Sequence, residues 1–290
     1  MKEIPYTNES ENPAKALDMV IKTLAISLLF TFLTSFANPL PAGKYNFKAI
    51  PSDHSTSFES GNNSLETRLQ KMDDVILAVY NELKGFENDL DINKPSFPVF
   101  KKALIGFYNL LGENKLENNK LLTVIDFTLP SDKKRLWIIN LKEKQILFND
   151  LVAHGRNSGN IMAEKFSNVA ESHMSSQGFY ITGNTYHGKH GLSLRLNGME
   201  EEINHNAFDR AIVMHGAEYV SEEFIQKYGR LGRSYGCPSV SNEISKEVIN
   251  TIKDKTCLFI YSPALQYDKI SALLNPENAA NYLVAKNFLI

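Results

Sequence analysis

After Asn119 the hydrophobic rhythm of this chain changes from a period near 3.6 to one near 2, and that change most restricts the folds open to it. Residues 121–129, 134–141, 145–154, 178–183, 191–196 and 211–215 are short β-branched or aromatic runs bounded by turn residues, and each reads as a strand. Two helical stretches, 221–228 and 242–253, precede a last strand at 256–261. Strands in succession with helices inserted late predict a mainly β domain with short helices, not alternating βαβ units. Neither a glycine-rich dinucleotide turn nor a GxxxxGK[ST] phosphate cradle follows any strand, which disfavours nucleotide chemistry.

Upstream, Ser64 reads as a helix N-cap, and Leu65, Leu69, Met72, Ile76, Val79, Tyr80 and Leu83 keep helical spacing until Gly85. A second helix is predicted over 97–111, closed by Gly112. Such stripes are ordinarily packing faces. Residues 38–63, with Pro39, Pro41, Pro51, Gly43 and Gly61, read as a linker. The run LAISLLFTFLTSF at 24–36 is 13 residues long, short of the ~20 needed to span a bilayer. It ends in a small-x-small pattern before Asn38, so 1–37 reads as a cleaved signal peptide and the protein as exported to the periplasm or cell envelope. Acidic residues before Asp18 suit a signal poorly, and Met19 offers a better start. The expected organisation is a signal (1–37), a linker (38–63), a helical segment (64–118), a mainly β domain (119–265) and a partly helical tail (266–290).

With 290 residues, 43% apolar, the chain can bury a sizeable core, and a net charge of −2 gives no hint of the basic face that nucleic acid requires. Two cysteines support neither a disulfide framework nor a four-cysteine zinc site. Any cysteine chemistry therefore rests on one thiol.

The informative segment is AIVMHGAEYVSEEFIQKYGRLGRSYGCPSV, residues 211–240. His215 stands where an apolar strand run ends, and Cys237 follows in a polar loop, Arg233-Ser234-Tyr235-Gly236-Cys237-Pro238. A thiol nucleophile needs a base and amide donors for the oxyanion, and Gly236 permits a backbone with successive N–H groups aimed at one point. Spacing alone is weak, because histidine and cysteine fall about this far apart by chance. Their combination with a Gly- and Arg-rich loop, unsuited to a packing cysteine, carries more. Arg230 and Arg233 favour thiolate and suit a carboxylate, though both also fit as solvated surface arginines.

At these residues the chain resembles the L,D-transpeptidase catalytic-domain family of peptidoglycan enzymes, whose motif is a strand-borne His-Gly followed by a Ser-x-Gly-Cys loop. HGAEYVS and GRLGRSYGCP are most similar to its murein L,D-transpeptidase branch, and the similarity runs back through 182–200 and 206–217, covering about 121–263. The resemblance implies a β-sandwich-like fold with Cys237 as nucleophile, His215 as base, the Gly216 carbonyl orienting the imidazole, and the Gly236 and Cys237 amides as oxyanion donors. It implies stem peptides of peptidoglycan as partner, a thioester acyl-enzyme, and a 3→3 cross-link or an L,D-carboxypeptidase outcome. No cofactor or metal is implied, and no nucleic-acid partner or membrane span after signal cleavage is expected.

The sequence departs from the commoner Ser-His-Gly-Cys loop: Tyr235 replaces the second histidine, and Pro238-Ser239 replace the aliphatic residue and Arg or Asn after the cysteine. Arg233 is the candidate substitute for that missing clamp, with Ser234, Tyr235, Asn184, Tyr186 and His187 as further substrate-groove residues; for Asn184, Tyr186 and His187 a plain hairpin turn fits as well. His187, His190 and His205 match no standard zinc spacing. His154 and His173 read as loop histidines, and Cys257 as a buried strand residue with both thiols free. A noncatalytic cell-wall binding or scaffolding protein of the same fold, and a cysteine amidohydrolase of other specificity, are the competing readings.

Overall fold

A computed structural model describes residues 64–85 and 93–288; the expected signal peptide and linker lie outside the described residues. Helix α1 (Leu65–Asn81) begins where Ser64 Oγ accepts the Thr67 N–H at 3.1 Å, the cap its sequence predicts. It stops before Gly85, because the chain there turns extended: Lys84 bridges Gln145, donating to Lys144 O and accepting from Ile146 N. Leu83 is thus buried by a chain crossing rather than by a helix face. Helix α2 (Phe97–Gly112) starts on Pro98, whose fixed φ and missing N–H suit the first turn.

Eight strands follow: β1 (Leu121–Asp126), β2 (Leu136–Asn140), β3 (Gln145–Asp150), β4 (Gly178–Gly188), β5 (Gly191–Gly198), β6 (Val213–Gly216), β7 (Ser239–Val240) and β8 (Cys257–Tyr261). Helices α3 (Glu222–Tyr228) and α4 (Asn242–Ile252) fall between β6 and β8, and α5 (Tyr267–Ile270) and α6 (Pro276–Ala285) close the chain. The mainly β architecture with short helices is therefore the one observed. All eight strands join one sheet, in the order β3-β2-β1-β8-β4-β5-β6-β7. The pairs β1–β8 and β6–β7 are parallel and the others antiparallel. Past β3 the chain reaches the far edge, where Ala153 bridges Ser239 and Gly155 bridges Ser234, so the sheet comes close to closing as a barrel.

Each face of the sheet buries its own core. On one side Leu122, Trp137, Phe179 and Phe259 pack against Met72 and Ile76 of α1, Phe100 and Leu104 of α2 and Leu283 of α6. Phe179 and Phe259 stack at 4.2 Å. Gly106 lets α2 lie on this pair: a Cβ there would come within 1.9 Å of the Phe179 ring. On the other side Ile125, Leu194, Met214 and Val240 pack against Val248, Ile249 and Ile252 of α4. A third cluster, Leu151, Ala153, Ala217, Val220 and Leu231, lies around the loop that leads to Cys237. Each fully buried Phe, Leu or Ile contributes roughly 1.5–3 kcal/mol.

The Glu200 carboxyl lies inside this packing. Glu200 accepts hydrogen bonds from Phe179 N at 2.6 Å, from Tyr267 Oη at 2.9 Å and from Ser271 Oγ. Those donors belong to β4, to α5 and to the turn after α5, so one side chain ties the C-terminal tail to the centre of the sheet. Asn275 caps α6, accepting from Glu277 N and Asn278 N, the start that Asn-Pro-Glu predicts.

Candidate active site

Strand β6 lies between β5 and β7, and the register places Ser193, His215 and Ser239 in one row. Directly opposed residues share a face, so the imidazole has a small hydroxyl side chain on either side. His215 is buried. Its Nδ1 lies 2.8 Å from Gly216 O; a carbonyl can only accept, so the proton of the neutral ring is on Nδ1 and Nε2 bears the lone pair. Ser239 Oγ lies 3.0 Å from Nε2 and 3.1 Å from Tyr219 Oη. With Nε2 an acceptor, the chain of donors runs from Tyr219 through Ser239 to His215. His190, from the turn between β4 and β5, stacks on the His215 ring at 4.3 Å.

The cysteine loop is held from several sides. Helix α3 ends at Gly229 in the left-handed conformation, φ +68°. Ser234 N donates to His154 O, Arg156 N donates to Ser234 O, and Ser234 Oγ both accepts from Gly236 N at 3.0 Å and donates to Cys237 O at 2.6 Å. Gly236 has φ +123°, and a Cβ there would lie 2.7 Å from Met174 O, so both conformation and space demand glycine. Ser175 Oγ donates to Gly236 O at 3.1 Å. The Cys237 sulfur accepts from Val213 N at 3.5 Å and lies 3.8 Å from Ala211 O. Among the described residues no hydrogen bond joins it to His215; the two are linked through β6, where Val213 and His215 alternate onto one face.

Burial raises the Cys237 thiol above the ordinary cysteine range, against the lowering pull of the Val213 N–H, Arg210 and Lys189. Burial lowers His215 below the ordinary histidine range; the Gly216 hydrogen bond opposes this, and His190 and Lys189 reinforce it. At neutral pH the resting pair is thus thiol and neutral imidazole. The acid limb of the pH–rate profile is therefore expected below the ordinary histidine value, with activity flat as pH falls through about 6.5; a limb at or above that value contradicts a neutral buried His215.

The expected groove residues divide. Tyr235 is exposed and stacks on His173 at 4.4 Å. Ser234 is a buried brace of the loop. Arg233 donates to Arg156 O at 3.3 Å and to Gly159 O at 2.8 Å, pinning a neighbouring turn. Tyr186 faces the His215 side of the sheet through its pairing with Ser193. Asn184 lies in the irregular step of β4 between Thr182 and Thr185, exposed, as is His187. Gly236 N–H, an expected oxyanion donor, is instead donated to Ser234 Oγ. His154 lies outside regular structure but is fully buried: its Nδ1 accepts from Arg135 at 2.8 Å, and burial with the adjacent cation lowers it to about 3. Cys257 is buried in β8, and both thiols are free.

Ser239, Tyr219 and Arg210 join the site only through the folded structure. Arg210 donates to Ser167 O, Ser172 Oγ, Met174 O and Ser176 Oγ, fixing the 167–176 segment beside the thiol. Serines, tyrosines and arginines at such spacings carry no local signal; only the strand register gives them partners. Among the described residues, no three His, Cys, Asp or Glu side chains gather as a metal site.

A near-closed mixed sheet with His-Gly at a strand end and a Ser-x-Gly-Cys loop entering the parallel neighbour defines a thiol–imidazole β domain. The model of the L,D-transpeptidase catalytic domain family matches residues 91–261, more than half of the chain, and the protein belongs to that family. No curated protein matches significantly. Solved structures similar to it include an L,D-transpeptidase from Mycobacterium smegmatis, at 9% identity and TM-score 0.32 over 49% of this chain and 59% of that one. L,D-transpeptidase 3 from Mycobacterium tuberculosis aligns at 9% identity and TM-score 0.33, over 49% of this chain and 61% of that one. A fused Zn-dependent amidase/peptidase/peptidoglycan-binding domain protein from Clostridium acetobutylicum aligns at 12% identity and TM-score 0.29, over 60% and 71%. The chain spans about three-fifths of the length of the first of these structures.

Proposed function

We propose that this protein is an exported cysteine-dependent L,D-transpeptidase acting on peptidoglycan stem peptides through a thioester acyl-enzyme. The observation that carries the reading is the tautomer lock: with Nδ1–H held on the Gly216 carbonyl, His215 keeps its lone pair on Nε2, on the strand whose Val213 N–H binds the Cys237 sulfur. The sulfur adds to the carbonyl on the L-centre of the diamino acid at stem position three while its proton passes to Nε2. For this the Ser239 hydroxyl yields that lone pair, a rotation about one side-chain bond. The oxyanion faces the Cys237 amide. Collapse breaks the C–N bond, His215 returns the proton to the departing D-alanine amine, and a thioester remains. An amine from a neighbouring stem, deprotonated by the same imidazole, displaces the sulfur to give a 3→3 cross-link; water in its place gives the L,D-carboxypeptidase outcome. Proton transfer and oxyanion binding each lower the barrier by roughly 3–5 kcal/mol.

Residues 64–118 and 266–290 act in this reading as the scaffold that backs the sheet of the 119–265 catalytic domain, and residues 1–37 direct export. N-terminal sequencing of the exported protein tests the last point, with Asn38 as the expected first residue.

One observation favours a noncatalytic cell-wall binding protein of the same fold: Nε2 is capped by Ser239, and no thiol–imidazole hydrogen bond is present. Incubation with tetrapeptide muropeptides separates the two. Release of D-alanine with a mass shift on Cys237 equal to the acyl tripeptide supports the enzyme; binding without release supports the scaffold.

A further inference from the structure

The face of the sheet that carries His215 also carries a cation with no anion. Arg195 on β5 lies directly opposite Val213, the residue whose N–H binds the Cys237 sulfur, and two residues along the strand from Ser193, which lies opposite His215. Alternation along β5 puts Arg195 on the His215 side, because Leu194 and Leu196 are buried in the core on the other. Its guanidinium is 4.7 Å from the Tyr186 ring centroid and 5.2 Å from that of Phe208, whose ring is half exposed. Among the described residues no carboxylate or carbonyl takes any of its N–H groups. Arg135, Arg210 and Arg233 differ: each donates to backbone carbonyls and holds a turn.

Two aromatic rings lie within cation–π range of the guanidinium, and its N–H edge has no protein partner among the described residues. That edge is the part shaped for two-point hydrogen bonding to a carboxylate. Held in place beforehand, it loses less rotamer freedom on binding than a free side chain would. The clamp expected after the cysteine is missing from this chain, and Arg233 is engaged by carbonyls of its own loop.

We propose that Arg195 is the receptor for a carboxylate of the acyl-donor peptide, with Tyr186 and Phe208 as the rings that hold it. This rests on the transpeptidase reading above for the identity of the ligand. The carboxylate has two sources, the terminal D-alanine or an acidic group on the acyl side, and the test separates them.

Calorimetric titration uses the Cys237→Ala protein, which forms no acyl-enzyme, with a tetrapeptide stem as free acid, as the C-terminal amide, and as the form amidated on its acyl-side carboxylates. Adding Arg195→Gln is expected to weaken the free acid about 10- to 100-fold, as for loss of a charge-assisted pair, with Arg195→Lys recovering part of this. Whichever amidated peptide already binds weakly to the parent and is indifferent to Arg195→Gln identifies the source. Equal affinity of the free acid for parent and Arg195→Gln overturns the proposal, as does a parent that discriminates among none of the three peptides. Iodoacetamide labelling of Cys237 in an Arg195→Gln single variant is expected to keep its wild-type rate; a changed rate together with lost binding indicates a collapsed site and counts against a receptor role. Failure of the wild type to release D-alanine sinks the transpeptidase reading, while the binding comparison still decides Arg195.

Discussion

Cys237→Ala is expected to stop D-alanine release from tetrapeptide stems, a loss of about 10⁴-fold or more, while leaving the fold intact. The sulfur's two hydrogen bonds are long, 3.5 Å from Val213 N and 3.8 Å to Ala211 O, and the residue keeps some exposed surface. Its removal thus costs at most about 1 kcal/mol of stability. His215→Ala is expected to lose about 10²–10⁴-fold, the range for a positioned general base. The two differ in pH dependence. Because burial raises the thiol, His215→Ala recovers part of its rate as pH climbs toward the thiol's own ionisation, whereas Cys237→Ala recovers nothing. Rates measured from neutral to alkaline pH with both variants check this. Substantial release by Cys237→Ala, with unchanged stoichiometry, removes the thioester from the mechanism.

The largest effect on stability is expected far from the thiol, at Glu200. Glu200→Ala leaves Phe179 N–H, Tyr267 O–H and Ser271 O–H facing one another without an acceptor at the point where the tail meets β4. Losing the shared partner of a buried network costs roughly 3–5 kcal/mol, about 10 °C or more in Tm for a unit of this size. Burial is the main cause that raises the Glu200 carboxyl above the ordinary carboxylate range, and its three donors pull the other way. A carboxyl raised on folding binds its proton more tightly in the native state. Its contribution to stability is therefore complete below the unfolded value and declines as pH rises through the raised one. Glu200→Gln keeps the volume and one acceptor but titrates no proton. Urea unfolding of wild type and Glu200→Gln across mildly acidic to neutral pH is expected to show the stability difference changing with pH in that sense; a constant difference contradicts a raised carboxyl.

Much of this site lies plain in the one-dimensional pattern. The helix caps at Ser64 and Asn275 and seven of the eight strands follow from local chemistry, since an N-cap oxygen and a two-residue period act within a few positions. Strand β7 has no signature in the sequence because two residues, Ser239 and Val240, make no periodic run; it exists only because β6 lies alongside. Strand β4 runs five residues past its expected end, as an irregular step between Thr182 and Thr185 lets polar NTYHG stay paired with β5.

What the sequence by itself determined is therefore the mainly β kind of fold and the two candidate groups, His215 and Cys237, because strand rhythm, helix signals and a Gly-Cys-Pro loop are encoded among near neighbours. What only the tertiary structure decided is which way the imidazole is protonated, what caps its lone pair, which arginine lies between two rings on the His215 face and which carboxylate locks the tail. Ser239, Tyr219, Arg195 and Glu200 act through partners at least 20 residues away in sequence or across a strand register. A buried polar group takes its meaning from whatever long-range pairing sets against it, and no local window holds that information.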